Sequence, residues 1–142
     1  MISRIKLIVR YQETDQMGIV HHSVYPIWFE CGRTDFIKKV GLSYGQLEKN
    51  GVMLPLRSLK CNYYYPSHYD EEIFLKTRIA NLTPSRILFY YEVFKKGFLK
   101  PIATGETEHV WVNTDLKPVN MRKYRPDLFD FFYDIFNDKG SA

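Results

Sequence analysis

The chain has 142 residues, enough for one domain that buries its own core without disulfides or metals. With 45% hydrophobic and 25% charged residues it reads as globular, which excludes a disordered chain. Twenty Lys and Arg against sixteen Asp and Glu leave a net charge of +4, a mild, scattered excess that suits a phosphate-bearing ligand without demanding nucleic acid.

Ile2 to Tyr11 alternates, with Ile5, Leu7, Val9 and Tyr11 on one face and Arg4, Lys6 and Arg10 on the other, the pattern of a half-buried strand. The polar stretch Gln12–Gly18 ends it. Val24 to Val40 reads as the longest helix: Ser23 is placed to cap it, and Pro26 is tolerated only in its first turn. Gly32 costs this helix roughly 1 kcal/mol relative to Ala, which points to close approach of helix and sheet. Gly41 ends the helix, and Ser43 with Gln46 forms a capping box for a short second one.

Strand period then returns. Val52–Tyr65 is a long β segment kinked at Pro55. Glu71–Leu82, Arg86–Lys96 and Pro101–Asn113 follow, joined by short turns and therefore antiparallel neighbours. Lys117–Arg125 is a basic, irregular run, and Asp127–Phe136 a final amphipathic helix. The result is a single α+β domain over 1–142, with a five-stranded antiparallel sheet, one long helix and a C-terminal helix. The sheet face away from the helix, rich in Tyr and Phe, would be bare on a monomer, so self-association is expected.

Chemistry concentrates in Tyr11–Arg33, YQETDQMGIVHHSVYPIWFECGR, where a loop carboxylate and a glycine precede a helix N-terminus. Thioester hydrolysis needs a group that attacks or activates water and donors that hold the carbonyl oxygen as it gains charge. Asp15 can supply the first, as nucleophile or general base. N–H groups around His22–Val24 can supply the second, one such donor being worth ~2.7–4 kcal/mol. The plain alternative for Asp15 is a turn residue. His22 could act through its side chain or only through its backbone. Glu30 and Arg33 are spaced to pair on the helix, or Glu30 could help polarise a substrate. Cys31 reads as a helix thiol rather than half of a dyad with His22. A metal held by His21, His22 and Asp15 is disfavoured, since adjacent residues of an extended loop point apart. Cys31 and Cys61 lack any C-x-x-C motif, so neither zinc nor a redox pair is indicated, and reduced thiols of a cytoplasmic protein are expected. The N-terminus has no apolar signal region, and no stretch approaches the ~20 apolar residues of a membrane helix.

The pattern Y-x-x-T-D-x-x-G-I-V-x-H-x-x-Y, continued by Trp28-Phe29-Glu30-x-x-Arg33 and later by Tyr64-Tyr65-Pro66 and Asp70, resembles the hot-dog-fold acyl-CoA thioesterases. The subgroup is that of 4-hydroxybenzoyl-CoA thioesterase and the Tol-Pal-associated short-chain acyl-CoA thioesterases. The resemblance covers about residues 3 to 120 and implies a sheet wrapped around the long helix. It implies Asp15 as the catalytic carboxylate, with His22 and Glu30 beside it. Gly18, Val20 and Tyr25 then shape or line the site. It also implies hydrolysis of acyl-CoA without metal or redox cofactor, by homodimers or homotetramers whose sheets join edge to edge.

CoA carries phosphates, so Arg57, Ser85, Arg86, Lys117 and Arg122 are the expected contacts at the entrance. An acyl-carrier protein could replace CoA as carrier, and a non-catalytic acyl-thioester binder is the alternative of another class. Tyr25, Trp28, Tyr63 and Tyr64 could line an aryl or a short aliphatic pocket.

Overall fold

Strand-period side chains build a five-stranded antiparallel sheet in the computed structural model, which describes residues 1–138. The strands are β1 (Ser3–Ile8), β2 (Leu56–Tyr63), β3 (Glu72–Leu82), β4 (Arg86–Lys95) and β5 (Ala103–Val110). Their order is β1-β3-β4-β5-β2, so β1 and β2 form the two edges. β3, β4 and β5 are consecutive antiparallel neighbours, as their short turns require. Residues 139–142 of the expected domain lie outside the described ones.

The long helix α1 (Val24–Lys39) lies across the inner face of the sheet. Phe29 stacks on Tyr91 of β4 at 4.5 Å between ring centroids, and Phe36 meets Phe89 edge-on at 5.8 Å. Full burial of each such side chain contributes about 1.5–3 kcal/mol. Two glycines allow the approach. A Cβ on Gly32 would overlap Thr77 and Leu75 of β3, and one on Gly105 would overlap the Phe29 ring. This is the hot-dog arrangement, an antiparallel sheet wrapped around one helix. The short α2 (Tyr44–Lys49) follows, capped by Ser43, whose hydroxyl accepts the Gln46 N–H at 3.1 Å.

Several local expectations need correction. β1 stops at Ile8, and Tyr11 lies in a short 3-10 turn, 77% exposed, because pairing with the partner segment ends at Val9. Ser23 does not cap α1: its backbone is already helical and its hydroxyl bonds His21 Nδ1 at 2.7 Å. The β segment begins at Leu56, since Pro55 has no N–H to pair; before it only Met53 bridges to Val112. The basic run contains α3 (Met121–Tyr124), capped by the Asn120 side chain. Then α4 (Pro126–Asn137) packs Phe132 on Trp111 at 5.7 Å.

The outer sheet face is not the continuous aromatic surface expected. Phe74, Leu88, Tyr90 and Phe94 alternate there with charged Lys76, Arg78, Glu92, Glu106 and Glu108. The uncovered apolar surface is instead on the inner side of β2, where Leu59 is 41% and Tyr63 47% exposed. Among the described residues no helix is long and apolar enough to cross a membrane.

Candidate active site

Between β1 and α1 the chain makes a small hairpin. Thr14 bridges Val20, Asp15 N–H donates to the Ile19 carbonyl at 2.9 Å, and Gly18 N–H donates to the Asp15 carbonyl at 2.9 Å. Gly18 has φ +79°, a left-handed conformation that glycine adopts without strain and that makes the turn. The half-buried Asp15 carboxylate accepts the Met17 N–H through Oδ1 at 2.8 Å, while Oδ2 has no hydrogen bond among the described residues.

Asp15 borders a pocket of about 360 Å³ whose walls include Val20, His22, Tyr25, Tyr63, Tyr64 and Tyr65. That volume lies in the range of small-molecule sites. Tyr25, from the first turn of α1, meets Tyr63 edge-on at 5.1 Å and bonds the buried Ser67 hydroxyl at 2.8 Å. Tyr63, from β2, donates its hydroxyl to the His22 carbonyl at 2.8 Å. Burial raises both phenols above the ordinary tyrosine range, so both remain neutral donors.

His22 is exposed, and its N–H has no acceptor among the described residues. The His22 N–H is therefore open to a ligand, whereas the next two are held by His21: its Nδ1 accepts the Ser23 N–H at 3.1 Å and its carbonyl accepts the Val24 N–H at 3.0 Å. The two histidines do not point apart as expected. Residues 21–23 turn into the helix rather than extend, with Val24 N–H on the His21 carbonyl, and the His21 and His22 rings lie 4.2 Å apart. No group of three His, Cys, Asp or Glu among the described residues could hold a metal ion.

The structure thus gathers Asp15, Gly18, Val20, His22 and Tyr25 at one place, and leaves six other expected residues away from it. Glu30 is exposed on the flank of α1 and forms no ion pair among the described residues. Arg33 turns inward to donate to Tyr91 Oη at 3.2 Å. From there a buried polar chain runs through Thr107 (2.6 Å) and His109 (2.9 Å) to the Leu54 carbonyl (3.0 Å). Burial holds the His109 imidazole down to about 4.

Ser85 and Arg86 stand at the start of β4, whereas Lys95 at its other end donates to the Pro66 carbonyl on the pocket wall at 2.8 Å. Ten strand residues, roughly 30 Å, separate the two ends. Arg86 and Arg57 both pair with Glu108, at 2.9 and 3.8 Å. Lys117 lies in the turn after β5, and Arg122 sits over the Phe129 ring at 5.0 Å. Within one chain none of these five residues borders the Asp15 pocket.

Two residues at the site escaped the sequence reading. Glu13 and Ser67 are buried beside the loop. Glu13 carried one available signal, an acid two positions before Asp15; Ser67 follows Pro66, where only a turn was legible. Tyr65, part of the Tyr64-Tyr65-Pro66 pattern, lines the pocket.

Residues 9–130 match the thioesterase-like superfamily. The chain belongs to that superfamily. It is a thioester hydrolase, and its relatives agree. YneP of Bacillus subtilis, whose name gives it provisionally as an acyl-CoA thioesterase, is 38% identical over 89% of this chain and 91% of its own. A DHNA-CoA thioesterase from Staphylococcus aureus superposes with a TM-score of 0.86 at 33% identity, covering 94% of this thioesterase and 90% of that chain. The acyl-acyl carrier protein thioesterase ATL3 of Arabidopsis thaliana is 27% identical over 82% of this chain and 62% of its own.

Proposed function

We propose that this thioesterase hydrolyses acyl-CoA with an aryl acyl group, Asp15 being the catalytic carboxylate. The observation that carries this is the free Oδ2 of Asp15 at the rim of an aromatic pocket that also takes in His22, whose N–H is unpartnered just ahead of α1. Asp15 either attacks the thioester carbonyl, giving an anhydride that water opens, or takes a proton from the attacking water. In both routes the carbonyl oxygen gains charge against the His22 N–H and the start of α1, and collapse expels CoA thiolate. Tyr63 fixes the His22 peptide through its carbonyl. The walls of three tyrosines and Tyr25 favour a flat acyl group, and the Staphylococcus aureus relative, by its title, acts on DHNA-CoA.

A second copy completes the site. The bare edge of β2, with Leu59 and Tyr63 exposed, fits the same strand of another chain paired antiparallel about a two-fold axis. That pairing carries Arg57 and Arg86 of the partner subunit to the pocket end of the first, where CoA phosphates need cations. Ser85, Lys117 and Arg122 travel with them, and Glu30 then faces the interface. The homodimer, alone or paired into a tetramer, works in the cytoplasm, in keeping with the free Cys31 and Cys61.

Asp15→Asn tests the chemistry. It should abolish release of free thiol from an aryl-CoA and chain-length panel while leaving fold and assembly intact. Retention of more than about a tenth of kcat/KM, a loss under ~1.4 kcal/mol, refutes the assignment. One observation favours a carrier-protein substrate: the exposed Lys96 and Lys100 flank the exposed Phe98 and Leu99 in the β4–β5 turn, and Phe98 packs on Tyr65 at the pocket. Faster hydrolysis of the same acyl group on an acidic carrier protein than on CoA would support that reading.

A further inference from the structure

Glu13 is a carboxylate 6% exposed, two positions before Asp15, and it borders neither the pocket nor any bound group. Burying a carboxylate is costly unless its oxygens are satisfied. Here they are, by two donors from different parts of the chain. Oε1 accepts the Arg10 N–H at 2.7 Å, and Oε2 accepts the Trp28 indole N–H at 3.1 Å. The Arg10 guanidinium reaches Oε2 at 3.5 Å but is 62% exposed, so it contributes little. The backbone carbonyl of Glu13 meanwhile accepts the His21 N–H at 2.9 Å. One residue therefore holds the outgoing arm of the Asp15 hairpin, its returning arm and helix α1.

The contacts continue around the loop. Trp28 packs on Tyr25 at 4.8 Å, Tyr25 bonds the Ser67 hydroxyl, and the Ser67 carbonyl accepts the Val20 N–H at 2.8 Å. Val20 bridges back to Thr14, next to Glu13. Asp15 hangs inside this closed circuit, and the helix start that faces its substrate belongs to the same circuit.

We propose that Glu13 is a positioning residue, which sets Asp15 against the start of α1 by clasping Trp28. The inference rests on Asp15 being the catalytic carboxylate. It also explains why the buried group is an acid. Two N–H donors need two acceptor oxygens, and a carboxylate has both. Glutamine has one, and its amide NH₂ would confront the remaining donor.

The test is a double-mutant cycle on the full chain, with kcat, KM and the pH profile measured for E13Q, W28F and E13Q/W28F. In E13Q the indole or the Arg10 N–H loses its acceptor, and kcat should fall about tenfold or more at a KM within about twofold. The pH profile should keep its shape, because the catalytic carboxylate is still present. In E13Q/W28F the indole donor is gone, one oxygen suffices, and kcat should return to within about threefold of W28F. Should E13Q alone not fold, the double variant against W28F makes the same comparison.

A lowered melting temperature with kcat unchanged in E13Q would make Glu13 merely structural and overturn the proposal. So would a double variant that stays about tenfold below W28F. Residual turnover in E13Q that has lost the acid limb of its profile would make Glu13 itself the catalytic carboxylate, again overturning it. If Asp15→Asn stays active, the Asp15 reading fails on its own, whatever the Glu13 cycle gives.

Discussion

β3 and β2 send alternate side chains to the same side of one sheet, yet only one of them is finished. On β3 the inward Ile73, Leu75, Thr77 and Ile79 are all buried beneath α1 and α4. On β2 the inward Leu59 and Tyr63 remain 41% and 47% exposed. Pattern is not the cause, since both strands alternate; cover is. α1 approaches β3 closely at Gly32, while on β2 it leaves Leu59 and much of Tyr63 exposed, meeting Tyr63 through Tyr25. The candidate site sits where those two tyrosines meet. A domain covered on its β3 side and open on its β2 side thus carries its candidate site at the open side.

The sharpest way to break this contrast is a charge on the unfinished strand. Leu59→Asp should give a folded monomer, by light scattering and circular dichroism, with kcat/KM at least about tenfold lower. An active Leu59→Asp monomer would separate the site from the edge and end the two-chain reading. The finished side responds to acid instead. The unfolded chain protonates its histidine near 6.5, whereas folded His109 resists until about 4. Its contribution is therefore complete above pH 6.5 and is lost as pH falls toward 4, by about 3 kcal/mol. Urea midpoints across that window should drop less steeply in His109→Gln; an unchanged slope would show that His109 is not the group responsible. The smallest effect belongs to Tyr63. Tyr63→Phe removes one hydrogen bond that holds the His22 peptide, so stability should fall by about 1 kcal/mol and kcat by at most about fivefold.

What the sequence made legible was local. Pro26 placed the start of α1, Gly32 announced a close approach, and the stretch from Asp15 to Tyr25 forms one side of the pocket. Each depends on contacts a few residues apart or on one helix face. The misses share a different cause. Ser23 and the paired histidines depended on where extended chain becomes turn, which alternation does not fix. Arg57, Ser85 and Arg86 were chosen for charge and type, but which end of the sheet they occupy follows from strand order and direction. Glu13 was overlooked because its partner Trp28 is fifteen positions away, and a buried acid looks like an exposed one in sequence.

The hydrogen-bonded line from Arg33 through Tyr91, Thr107 and His109 to the Leu54 carbonyl can point its hydrogens only one way. A guanidinium can only donate, and a peptide carbonyl can only accept. With Leu54 accepting, His109 must carry its proton on Nδ1 and receive at Nε2, so Thr107 donates to it, Tyr91 donates to Thr107, and Arg33 donates to Tyr91. Both ends dictate the same sense, and no hydroxyl along the line is free to reverse. The core between α1 and the strand that precedes the bare edge is thus threaded by a one-way polar line. A substitution that reversed any single link, such as a histidine that must accept at Nδ1, would leave two like groups face to face in the driest part of the fold.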